Sequence, residues 1–69
     1  MTEIRVQGDH ITLGQLLKAA GVIETGGHAR AFLAQNPADV NGESEARRGR
    51  KLFPGDQIRI GNLTIRLLP

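Results

Sequence analysis

No cysteine, tryptophan or tyrosine occurs in these 69 residues, and Phe32 and Phe53 are the only aromatic side chains. Without cysteine there is no disulfide framework and no thiolate metal site, so the chain suits an ordinary reducing compartment. Two phenylalanines provide no platform on which single-stranded bases would stack. Phe32 reads as core and Phe53 as a residue packed beside a turn. Histidine is limited to His10 and His28, and serine to Ser44. No carboxylate pair sits beside either histidine on a predictable face, so neither a catalytic triad nor a metal centre has support. No enzyme activity, metal or cofactor is expected, and His10 reads as a surface loop residue. The glycines fit neither a Walker loop nor a dinucleotide fingerprint. The closing residues Leu67, Leu68 and Pro69 lack the flexible Gly-Gly end through which sulfur carriers and ubiquitin-like modules are activated.

Long apolar runs are missing too. The opening MTEIRVQGDH has acidic residues and no apolar stretch, unlike a signal peptide, and no later segment approaches the roughly 20 apolar residues of a membrane span. A soluble, cytoplasmic protein with no membrane partner is the expectation. At 69 residues the chain reads as one domain, 1–69, near the lower size at which a hydrophobic core offsets chain entropy, with little room for a deep cleft.

What is present is a concentrated charge. Nine Lys and Arg stand against seven Asp and Glu, a net of +2. Four of the nine fall within the five residues Arg47–Lys51, in the stretch VNGESEARRGRKLFPGD, and without them five basic residues face seven acidic ones. The chain is mildly acidic with one basic loop, and a polyanion feels such a patch at short range. Lys and Arg release condensed counterions on meeting phosphate, Arg also grips it bidentately, and Gly49 lets the backbone come close.

The pattern of elements is legible in outline. Glu3 to Gln7 alternate, with Ile4 and Val6 on one face of a short strand closed by Gly8-Asp9. Thr12 with Gln15 three residues on forms a capping box, and Ile11 and Leu16 take the places of a hydrophobic staple. Leu13, Leu16, Leu17 and Ala20 then make one helical stripe, ended by Gly21. Thr25 is a second N-cap candidate, for a helix to about Gln35 with Ala29, Phe32 and Leu33 inward, stopped by Asn36-Pro37. Helices joined by so short a link should pack as a pair. Asn41-Gly42 signals a tight hairpin and Pro54-Gly55 a turn; Gly61-Asn62 joins two strands so that Ile60 faces Leu63 and Ile58 faces Ile65, leaving Arg59, Thr64 and Arg66 to solvent. The fold class is α+β, two packed helices on a small, mainly antiparallel sheet.

From Ile11 to Ile60 the order and spacing of ITLGQLLKAAGVIETGGHARAFLAQN, VNGE, RRGRKL and PGDQI resemble the alpha-L RNA-binding motif, named after ribosomal protein S-four. The unbroken RRGRKL and the LGQLLK, GV and TGG run are similar to a group of small stand-alone bacterial proteins of this type. The resemblance implies a motif core of 11–60, no catalysis, and binding of a monomer to structured RNA, often ribosomal RNA, with possible ribosome association. Carried over by position, it points to Lys18 in LGQLLK, Arg30 in TGGHAR, and Arg47, Arg48, Arg50 and Lys51 in RRGRK. The wider family often has arginine where Thr12 and Gly26 stand, so two customary phosphate contacts are missing. His28 stands where related sequences often carry an acid or amide that completes a capping box with Thr25.

Gly27 and His28 join the candidate site because TGGH offers unpartnered backbone N–H groups at a helix start, where an anion is favoured. Lys18 and Arg30 lie off the apolar stripes. With no stacking platform, recognition should proceed by shape and backbone, which suits a folded RNA. The alternative is a protein-interaction adaptor in a ribosome-associated or other complex without RNA contact, using the edge of the final apolar hairpin.

Overall fold

A computed structural model describes residues 1–69. In chain order the elements are β1 (Thr2–Arg5), β2 (Ile11–Thr12), α1 (Leu13–Ala19), a 3-10 turn (Gly26–His28), α2 (Ala29–Gln35), β3 (Ala38–Val40), β4 (Glu43–Glu45), β5 (Lys51–Leu52), β6 (Gln57–Ile60) and β7 (Leu63–Leu68). Five strands form one sheet in the order β1-β7-β6-β3-β4, and β2 and β5 form a separate two-stranded ribbon. All pairings are antiparallel except β1 with β7. The architecture is the expected α+β one.

Helix α1 starts and stops as its residues dictate. Thr12 Oγ1 accepts from Gln15 N at 3.2 Å while Gln15 Oε1 accepts from Thr12 N at 2.9 Å, closing the capping box. Such a cap is worth about 0.5–2 kcal/mol, an appreciable share in a chain of this size. At the other end Gly21 takes φ +75°. Its N–H donates to Lys18 O at 3.0 Å and that of Val22 to Leu17 O at 2.9 Å, the paired bonds of a Schellman motif. Leu13, Leu16 and Leu17 are fully buried, and Ala20 is half-buried.

The second helix departs from expectation in its first turn. Thr25 has no side-chain capping bond, and the chain instead winds a 3-10 turn in which His28 N donates to Thr25 O at 3.1 Å. Gly26 and Gly27 hold a helical backbone poorly, and His28 at the third position makes no reciprocal bond. Regular α-helix therefore begins at Ala29, with Ala29 and Leu33 buried and Phe32 packed at the edge of the core.

The hairpins follow their turn residues. Asn41 (φ 51°) and Gly42 (φ 90°) form the two-residue loop that sets Val40 against Glu43. At the last hairpin Ile60 pairs Leu63 and Ile58 pairs Ile65, as the alternation implies. Gly55 (φ 96°) after Pro54 makes the turn that Asp56 N closes on Phe53 O at 3.0 Å. Phe53 itself is 48% exposed, its ring 6.2 Å from that of His10. Strand β1 begins and ends earlier than its alternation suggests, but Val6 still donates to Leu68 O at 2.7 Å and is buried. The core lies between the helices and one face of the sheet, with Leu33, Val40, Leu52, Ile58 and Ile65 fully inaccessible.

Candidate functional site

The basic loop is docked on the first turn of α1. Leu13 N donates to Arg50 O at 2.9 Å and Gly14 N to Arg48 O at 2.8 Å, so two amides that a helix start leaves orphaned are satisfied by loop carbonyls. With Gln15 N on the Thr12 cap, the α1 terminus has no free donor there for an anion. The contact is close because residue 14 is glycine. A Cβ placed on it would lie 3.4 Å from Ala29 Cβ, from Arg48 Cβ and from Arg48 O. Helix α1, the start of α2 and the loop thus meet at one buried backbone position.

Beside this junction runs an open groove of about 480 Å³. Thr12, Gly14, Gln15 and Lys18 line it from α1 and its cap, Gly26 and Ala29 from the start of α2, and Arg48 and Gly49 from the loop. Ala29 is its one hydrophobic residue. Lys18 and Arg48, thirty positions apart in the chain, line the same groove. The structure therefore brings together Lys18, Arg48 and the glycine turn. Gly27 and His28 are exposed next to the groove without lining it, and Arg30 is exposed on α2. The N–H groups of Gly26 and Gly27 make no hydrogen bond within the chain. Lys51 is exposed on β5, opposite Thr12.

Arg47 and Arg50 have a different setting, which depends on Glu45, a residue the charge pattern does not single out. Glu45 is the buried charged side chain of the fold, 6% exposed at the end of β4. Its Oε2 accepts from Arg47 N at 3.1 Å and Arg47 Nε at 3.0 Å; its Oε1 accepts from Arg47 Nη2 and Arg50 Nη1, both at 2.9 Å. The side-chain bonds from Arg47, then that from Arg50, then the Arg47 N–H hold the Glu45 carboxyl well below the usual carboxylate range, against an opposing effect of desolvation. Reciprocally, the hydrogen bonds to Glu45 push the Arg47 guanidinium up. The signal that could have found Glu45 is its spacing: an acid two residues before one arginine and five before another, on the inward phase of a short strand.

A carboxyl whose folded pKa is depressed stabilises the fold above its unfolded value and ceases to do so as pH falls through the folded one. Thermal stability should thus begin to drop as pH falls through about 4.3, the ordinary glutamate value, and continue to drop below it. In melting curves from pH 7 to 2.5, Glu45→Gln should remove part of that acid-induced loss. An acid profile identical to that of the unmodified protein would show that the ion cluster contributes nothing to folding.

A model of the S4 domain matches residues 4–68. The chain belongs to the S4 domain family. This is an RNA-binding, non-enzymatic family. Probable ribosome maturation protein RlbA of Bacillus subtilis (strain 168) is 49% identical over 57 residues, which cover 83% of this chain and 80% of that protein. In this S4 domain the five-stranded sheet runs from β1 at one edge to β4 at the other. No helix is long and apolar enough to cross a membrane.

Proposed function

We propose that this protein binds structured RNA, ribosomal RNA foremost, in a ribosome-related role in the cytoplasm. The whole chain, 1–69, acts as one monomeric RNA-binding domain around a motif core of 11–60, without cofactor or catalysis. The observation that carries this reading is the convergence of Lys18, Arg48 and the Gly26 turn on one groove, with exposed Lys51 paired to the lining residue Thr12 and exposed Arg30 next in the chain to the lining residue Ala29. Arg47 and Arg50 belong to the same loop, and Gly27 and His28 border the groove. The name of the Bacillus subtilis relative supports the ribosomal context.

The groove's chemistry suits backbone recognition. It has no aromatic residue, so bases have nothing to stack on, whereas phosphates of a folded RNA can meet Lys18 and Arg48, cations from separate chain segments, at once. Because A-form geometry and the 2′-hydroxyl distinguish RNA, affinity for a folded ribosomal RNA fragment should exceed that for a DNA duplex of equal length at physiological salt by an order of magnitude or more. Parallel titrations of the two ligands check this. Equal affinities would leave only attraction to polyanions, and binding to neither would favour a role as a protein adaptor.

A further inference from the structure

The basic loop contains four cations, but they are not equivalent. Arg47 and Arg50 converge on the buried Glu45, which receives four hydrogen bonds, about as many as its two oxygens can take. Arg48 and Lys51 form no ion pair and no side-chain hydrogen bond. We propose that Glu45 is a positioning residue for RNA binding, an inference that rests on the function proposed above: it fixes Arg47 and Arg50 as struts, so that Arg48 and Lys51 are the loop cations that meet phosphate.

The geometry supports this division at both ends of the loop. Arg50 N donates to Arg47 O at 3.2 Å, closing a turn with Arg48 and Gly49 at its corner. Glu45 ties the residues at both feet of that turn, Arg47 by backbone and guanidinium and Arg50 by guanidinium. The corner lines the groove together with Lys18, and the carbonyls of Arg48 and Arg50 reach the first amides of α1. Four like charges in five residues would otherwise repel one another and spread the loop over many conformations. A carboxylate shared by two of them offsets that repulsion and reduces the ordering left to be done on binding. The same carboxylate lowers what Arg47 and Arg50 can gain from phosphate, since each already has an anionic partner.

Glu45→Gln separates this from simple charge attraction because the two accounts predict opposite signs. The substitution keeps the side chain's size and makes the protein one unit more positive, so attraction alone predicts tighter RNA binding. Positioning predicts weaker binding: about a tenfold loss of affinity for a folded ribosomal RNA fragment, with faster hydrogen exchange at the Arg47 amide in the free protein. Unchanged or tighter binding overturns the proposal. Should Glu45→Gln fail to fold, a pair of double variants takes its place. Arg48→Gln with Lys51→Gln should flatten the salt dependence of binding, while Arg47→Gln with Arg50→Gln should weaken binding with little change in that slope; equal flattening by both pairs overturns the proposal. If the unmodified protein binds no RNA, the proposed function fails and this inference with it, whereas RNA binding that is insensitive to Glu45→Gln sinks the inference alone.

Discussion

Replacing Lys18, Arg48 and Lys51 together by glutamine lowers affinity for a folded ribosomal RNA fragment by about 100-fold at physiological salt and leaves the melting temperature nearly unchanged. The magnitude comes from counterion release: each lost phosphate contact removes about 0.7–0.9 from the slope of log affinity against log salt, so three contacts at about 0.15 M salt amount to roughly two decades. All three residues are exposed and absent from the core, so the fold has no reason to respond. The matched control replaces Arg5, Arg59 and Arg66. Arg59 and Arg66 lie on the sheet face away from the helices, and the Arg5 guanidinium donates to the Pro69 carbonyl at 2.9 Å. This control removes the same charge from residues that do not line the groove and should cost only a few-fold. Equal losses from the two triple variants, measured by titration across a salt series, would mean that RNA responds to a diffuse field rather than to a site.

Gly14→Leu should be the most damaging single substitution at the interface, acting on stability and binding together. Its Cβ alone meets Ala29 and Arg48 at contact distance, so further carbons have to displace the loop or part the helices. Overpacking of this kind costs about 1–3 kcal/mol. A 69-residue domain has roughly 3–10 kcal/mol in total, taken at about 0.05–0.15 kcal/mol per residue. RNA affinity should fall further than the loss of folded protein explains, because displacement of Arg48 breaks the Gly14 N to Arg48 O bond, one of the two that seat the loop on α1, and moves the Arg48 side chain away from the groove. Gly14→Ala is the informative companion. Its methyl group fits at the limit of ordinary contact and gains about 1 kcal/mol of helix propensity, so it should stay close to neutral. A Gly14→Leu protein with unchanged melting temperature and RNA affinity would show slack at the junction that the structure does not have.

Features that depend on a few neighbouring residues could be read directly from the sequence. The Thr12 and Gln15 box, the Gly21 stop and the Asn41-Gly42 and Gly61-Asn62 hairpins are local chemistry, and each appears in the structure with the expected partners. Features set by distant segments were hidden. Strand β1 runs parallel to β7, with Thr2 beside Ile65, and no local signal says which strand an amino-terminal segment will join. The capping bond expected at Thr25 fails because the two glycines that follow favour a tighter turn.

The candidate site divides along the same line. A cluster of cations is visible as a run of letters, and Lys18 could be placed off the apolar stripe by helical spacing. That Lys18 and Arg48 share a groove follows only once the loop is docked on α1. The inequality of the four loop cations was also invisible, since it arises from Glu45 turning inward at the end of a three-residue strand. Only tertiary contact shows Gly14 to be the place where three elements meet.

The most direct test of the account is ultraviolet crosslinking in living cells, with sequencing of the bound RNA and mass-spectrometric mapping of the crosslinked peptides. The account predicts ribosomal RNA as the main ligand and crosslinks confined to the segments around Lys18, Gly26 to Arg30, and Arg48 to Lys51. Crosslinks distributed over the outer face of the sheet around Arg59 and Arg66, or none to RNA at all, would contradict it.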